Sequence, residues 1–120
     1  MDKSTTVLGN KALAAKAGSA VVGATARATD FGSVLGFGEI SNGSYSTSVG
    51  SRSISIGHSA VAMGYQAFAN GNGTVAIGQA AISSATRGGD TSKGFSIAIG
   101  AKAQNADTNM GGHSLAVGPS

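Results

Sequence analysis

The sequence predicts an all-β fold, a parallel β-roll wound in coils of about 14 residues, and three observations predict it. First, a phrase of apolar, small, apolar, Gly recurs as Ile54-Ser55-Ile56-Gly57, Val61-Ala62-Met63-Gly64 and Val75-Ala76-Ile77-Gly78. Large apolar residues at alternate positions have the period of a strand half-buried on one face. The Gly that follows frees the backbone for a corner. Second, small residues stand three and five positions after a Gly, as in Ala12 and Ala14, Ala26 and Ala28, Ser53 and Ser55, Ala67 and Ala69. Third, the composition is 20 Gly, one Pro, no Trp, no Cys, four Phe and two Tyr in 120 residues. Such side chains suit narrow repeated layers better than one thick core. A chain of this length is read as a single domain over residues 1–120.

The phrase runs almost from end to end. Thr6-Val7-Leu8-Gly9 and Ala20-Val21-Val22-Gly23 open it, and Leu35-Gly36-Phe37-Gly38 follows, where either Gly36 or Gly38 can hold the register. Thr47-Ser48-Val49-Gly50 leads into the central three phrases, and Ile97-Ala98-Ile99-Gly100 and Leu115-Ala116-Val117-Gly118 close the series. The structural repeat glycines are therefore Gly9, Gly23, Gly38, Gly50, Gly64, Gly78, Gly100 and Gly118, with Gly57 at a half period. Asn42-Gly43, Asn70-Gly71 and Asn72-Gly73 mark turns. Coils stacked at the ~4.8 Å strand spacing give a rod of roughly 35–40 Å. Residues 10–17, Asn10 to Ala17, have the composition of a short helix. The repeat places a turn and a strand there instead. The large residues of each phrase, such as Val75 and Ile77, are expected to fill the roll. The opposite face, with Thr74 and Ala76, Ser96 and Ala98, Ser114 and Ala116, is expected to be the flat surface that a neighbouring roll approaches.

Two steps between repeat glycines are long, 22 and 18 residues, and locate insertions near 84–94 and 105–113. Regular coils repeat one surface, so singular recognition is expected where the repeat breaks. The first insertion carries Arg87, Asp90 and Lys93, the candidate ligand contacts.

Composition and motifs also exclude. Without cysteine there is no disulfide frame and no thiolate metal site. No apolar run approaches the ~20 residues of a membrane span, and Met1 to Thr6 lacks the apolar middle of a secretory signal. An exported parent would contain this chain as one piece. The net charge of +3 is concentrated in Lys3, Lys11, Lys16 and Arg27 against Asp2, without the dense basic and aromatic cluster of a nucleic-acid binder. Gly71-Asn72-Gly73-Thr74-Val75-Ala76 fits a loose dinucleotide fingerprint, but it opens onto a strand rather than a helix. His58 and His113 stand far apart in sequence, Glu39 is the sole glutamate, and Asp90 and Asp107 fall in separate insertions. No catalytic residue, metal ligand or cofactor site is assigned. A six-residue acyltransferase helix does not fit steps of seven and fourteen. The Thr residues are too scattered for an ice-binding ladder.

Thr74-Val75-Ala76-Ile77-Gly78, Ser96-Ile97-Ala98-Ile99-Gly100 and Ser114-Leu115-Ala116-Val117-Gly118 resemble the SVAIG head repeat of the YadA-like trimeric autotransporter adhesins. The resemblance covers about Thr5 to Gly118. It implies a left-handed parallel β-roll and a homotrimer. It further implies attachment to a host matrix protein or to a cell-surface receptor or glycan, with the parent anchored in a bacterial outer membrane. A neck, heptad stalk and membrane anchor, which a complete member carries, are not found, so the chain corresponds to the head. A phage or bacteriocin tail-fibre segment of the same fold is the alternative.

Overall fold

A computed structural model describes residues 5–16, 18–85, 95–107 and 113–119. The chain winds between two parallel sheets. The front sheet stacks β1 (Thr6–Leu8), β3 (Ala20–Val22), β5 (Ser33–Phe37), β7 (Thr47–Ser51), β9 (Val61–Met63), β11 (Val75–Ile77), β13 (Phe95–Ile99) and β15 (His113–Val117) in that order. The back sheet stacks β2 (Leu13–Ala14), β4 (Arg27–Ala28), β6 (Ile40–Ser41), β8 (Ile54–Ile56), β10 (Phe68–Asn70), β12 (Ile82–Ala85) and β14 (Gln104–Asp107). Successive strands alternate between the sheets, so the fold is a parallel β-roll whose coils follow the predicted period. No helix occurs among the described residues, and Leu13–Ala14 is a strand, as the repeat requires. The longest dimension is 41 Å and the shortest 16 Å.

Pairing follows the repeat. Val61, Ala62 and Met63 align with Val75, Ala76 and Ile77, which align in turn with Ile97, Ala98 and Ile99. The ambiguous third phrase is settled by Leu35 pairing with Val49 and Gly36 with Gly50. Gly36, not Gly38, is thus the corner in register, and Gly38 sits two residues on in the turn.

The expected inside and outside are reversed. Thr74, Ala76, Ala62, Ala98 and Ser96 have no exposed surface, whereas Met63 and Ile99 are each 38% exposed and Leu35 54%. The interior column of the front sheet is Val in the second and third coils and Ser or Ala afterwards: Val21, Val34, Ser48, Ala62, Ala76, Ala98. Opposite it lie Ala26 and Ala28, Ser53 and Ser55, Ala67 and Ala69, and Ala81 and Ser83, all buried. The cause is the width of the roll. Sheets packed through ordinary side chains stand about 10 Å apart, and a molecule 16 Å thick whose corners are short has no room for Val and Ile from both sides. Alternation with period two obliges the large residues to face out once the small ones face in.

Hydroxyls inside the roll are mostly bonded within it, as buried polar groups must be. Ser48 Oγ and Ser53 Oγ bridge the sheets at 2.6 Å, as do Ser83 Oγ and Ser96 Oγ at 2.6 Å. Ser41 Oγ donates to the Ser46 carbonyl at 3.0 Å, and Thr74 Oγ1 to the Gly71 carbonyl at 2.9 Å.

Candidate interaction surfaces

Two long edges join the sheets, and they differ in chemistry. The glycine edge follows each front strand: a corner Gly, one further residue, then a residue with φ near +60°. Lys11, Thr25, Arg52, Gln66, Ala80 and Lys102 hold this last place with φ between 57° and 60°, and Gly38 holds it at 66°. Left-handed backbone is uncommon outside Gly. From the second coil onward it is held because the N–H donates to the coil before, as in Arg52 to the Phe37 carbonyl at 2.9 Å and Lys102 to the Gln79 carbonyl at 2.8 Å. The repeat does not reveal it, since Lys, Thr, Gly, Arg, Gln and Ala all stand at this place.

Large apolar side chains surround the glycine edge. On the front face next to it runs the column Leu8, Val22, Leu35, Val49, Met63, Ile77, Ile99, Val117. On the back face beside it lie Leu13, Ile40, Ile54, Phe68 and Ile82, interrupted by Arg27. Phe37 and Tyr65, 54% and 45% exposed, sit on the edge itself. The apolar surface therefore wraps round this edge as a wedge. Contiguous apolar exposure of this kind makes the edge a candidate interaction surface.

The loop edge, which follows each back strand, is polar. Lys16 Nζ and Asp30 Oδ2 pair at 3.3 Å, both exposed or nearly so. Phe31 and Tyr45 stack with ring centroids 5.0 Å apart and planes 6° from parallel, and Tyr45 meets His58 edge-on at 5.3 Å. The His58 backbone N–H donates to Asn72 Oδ1 at 3.0 Å. The adjoining back-face column contains Thr29, Asn42, Ile56, Asn70 and Ser84. β12 ends at Ala85 and β13 starts at Phe95, while β14 ends at Asp107 and β15 starts at His113. Both long steps therefore fall between a back strand and the next front strand, in neighbouring coils. Their outer residues are strand rather than loop, with Ser84 pairing Ala106 and Ala85 pairing Asp107. Arg87, Asp90 and Lys93 lie outside the described residues. The aromatic ladder escaped the sequence reading, although Phe31 and Tyr45 are 14 apart and His58 follows 13 later.

No group of three or more His, Asp or Glu side chains converges among the described residues. His58 faces the aromatic ladder rather than a second potential ligand.

Residues 55–81, which span two of these coils, match the family model of the YadA head domain repeat in two copies. This stretch is similar to two successive YadA head repeats. No curated protein and no solved structure matches the chain significantly. The head register fits the coil geometry: the matched segment runs from the interior Ser55 to the interior Ala81. The same column positions continue above and below it.

Proposed function

We propose that this chain is the head of a non-enzymatic, homotrimeric surface adhesin that attaches its parent, anchored in a bacterial outer membrane, to host matrix protein or to a cell-surface receptor or glycan. The observation that carries the reading is the outward display of Val, Ile, Leu and Met in continuous columns over a roll filled by Ala and Ser. A single roll leaves these columns in water, and covering them returns ~25 cal/mol per Å² of apolar surface. A cyclic trimer in which each wedge packs against its neighbours covers three copies at once and closes. Lys11, Arg52 and Lys102 are exposed on this edge, and long basic side chains can lay their stems on apolar surface with the charge in water.

In such a trimer the loop edge faces outward. It then offers three copies of the two insertions and of the Phe31, Tyr45 and His58 ladder, and weak sites in triplicate bind through effective concentration. Arg87, Asp90 and Lys93 are the proposed ligand contacts. Sedimentation equilibrium tests the assembly: a trimer is expected, and a folded monomer at micromolar concentration refutes it. Attachment to immobilised matrix proteins and glycans tests recognition. Arg87→Ala with Lys93→Ala should weaken it while the trimer stays intact. Unchanged attachment after excision of residues 85–93 would transfer recognition to the regular coil surface.

A further inference from the structure

Glu39 occupies a place inside the roll that every other coil gives to Ala or Ser. The column that precedes each back strand reads Ala12, Ala26, Glu39, Ser53, Ala67, Ala81 and Ala103. Its register is fixed by the N–H of Arg27 donating to the Glu39 carbonyl at 3.0 Å and that of Ile40 to the Ser53 carbonyl at 3.0 Å. Glu39 has no exposed surface. Gly36 makes room for it, since a Cβ there would collide with Glu39 Oε1.

The carboxyl is poorly served. Ser53 Oγ donates to Oε1 at 3.4 Å, a long contact, and that hydroxyl also pairs with Ser48 Oγ at 2.6 Å. Oε2 has no partner. The remaining groups that reach the carboxyl are the backbone N–H groups of Gly50 and Leu35. No charged side chain among the described residues faces it: Arg27 in the coil before and Arg52 in the coil after are both exposed on the outside. A charge so placed has no cationic side chain among the described residues to compensate it, whereas the neutral acid asks far less of its surroundings.

We propose that Glu39 is a proton-responsive element of the head: one proton taken up at this carboxyl firms the coil of residues 33–46, and its loss loosens that coil and the apolar edge it carries. The same coil displays Leu35, Phe37 and Ile40 at the wedge, so on the trimer reading the looseness reaches the subunit interface. Burial supplies the bias. It pushes the carboxyl from 4.5 up to about 7, against the smaller opposing pull of the Ser53, Gly50 and Leu35 hydrogen bonds. A carboxyl with a raised folded pKa binds its proton more tightly in the folded state. The stabilisation is full below about pH 4.5 and is lost as pH rises through about 7. The shift corresponds to a fall of up to about 300-fold in the folding equilibrium constant of each chain.

The test is urea unfolding of the full chain at pH 5.5 and pH 8.5, for the wild type and for Glu39→Gln, which keeps both histidines. The wild-type midpoint should fall with rising pH, while the Glu39→Gln midpoint should change much less and exceed the wild type at pH 8.5. Parallel profiles, or a variant weaker than the wild type at both values, overturn the proposal. Should Glu39→Gln not fold, Glu39→Ala, which restores the residue of neighbouring coils, is read by the same criterion. Sedimentation at both pH values reports separately on the trimer: a Glu39-dependent profile in a monomeric chain would sink the assembly reading and leave this one standing.

Discussion

Gly78→Ala puts the stacked corners to the sharpest trial. Gly78 has φ +127°, and a Cβ added to it would lie 2.6 Å from the Gly100 carbonyl oxygen and 2.7 Å from the carbonyl carbon. Two costs add. Left-handed extended backbone suits Gly almost alone, and a side chain there costs of order 1–3 kcal/mol. Forcing a methyl into a filled space costs a further ~1–3 kcal/mol. The obstruction is backbone held in a ladder, so it cannot swing aside. The variant should therefore lose about 2–6 kcal/mol per chain. Two other glycines separate the terms. Gly118 has φ +110° but a Cβ there meets nothing within 4 Å, so Gly118→Ala should show only the backbone cost of ~1–3 kcal/mol. Gly38 has φ +66° with its nearest neighbours at 3.8 and 3.9 Å, both side chains. Asn is tolerated in that region, and Gly38→Asn should cost less than about 1 kcal/mol. Urea unfolding followed by circular dichroism ranks the three, with amide exchange at the last coil to catch local fraying at Gly118. A Gly78→Ala loss no larger than that of Gly118→Ala would show that contact between stacked corners is not what demands glycine.

Ala76→Leu and Met63→Gln should fail in opposite ways. The first, directed into the roll, should destabilise by ~1–3 kcal/mol or more and reduce the β signal, while the second should keep that signal and shift trimer dissociation to higher protein concentration in sedimentation. Equal behaviour of the two would contradict the inside and outside assigned here. Tyr45→Ala removes two ring contacts on the loop edge and should lower stability by about 1 kcal/mol in urea unfolding, with no change in oligomeric state; a monomer would place the loop edge in the interface.

The recurring phrase determined the class of fold on its own. Alternating Val, Ala, Ile and a closing Gly dictate a strand and a corner, and a step of fourteen dictates that each coil pairs with the next in parallel. The competing helix at residues 10–17 yields to that pairing because Leu13 and Ala14 find Arg27 and Ala28 beside them. The two long steps were legible too, since 22 and 18 residues between repeat glycines exceed one coil. Alternation is, however, symmetric about the strand. It separates Val75 and Ile77 from Thr74 and Ala76 without saying which pair faces in. Only the thickness of the closed roll decides that, and a roll 16 Å thick admits Ala and Ser. The same closure selects Gly36 over Gly38 as the corner, because Gly36 is the residue that stacks on Gly50. It also sorts the two edges, one wrapped in apolar columns and one polar with its rings in line, which residues scattered at intervals of about fourteen do not reveal until the coils are stacked. Glu39 is the plainest case. In the sequence it stands out only as the sole glutamate, and its carboxyl is buried because the register of the coils on either side places it in the interior column.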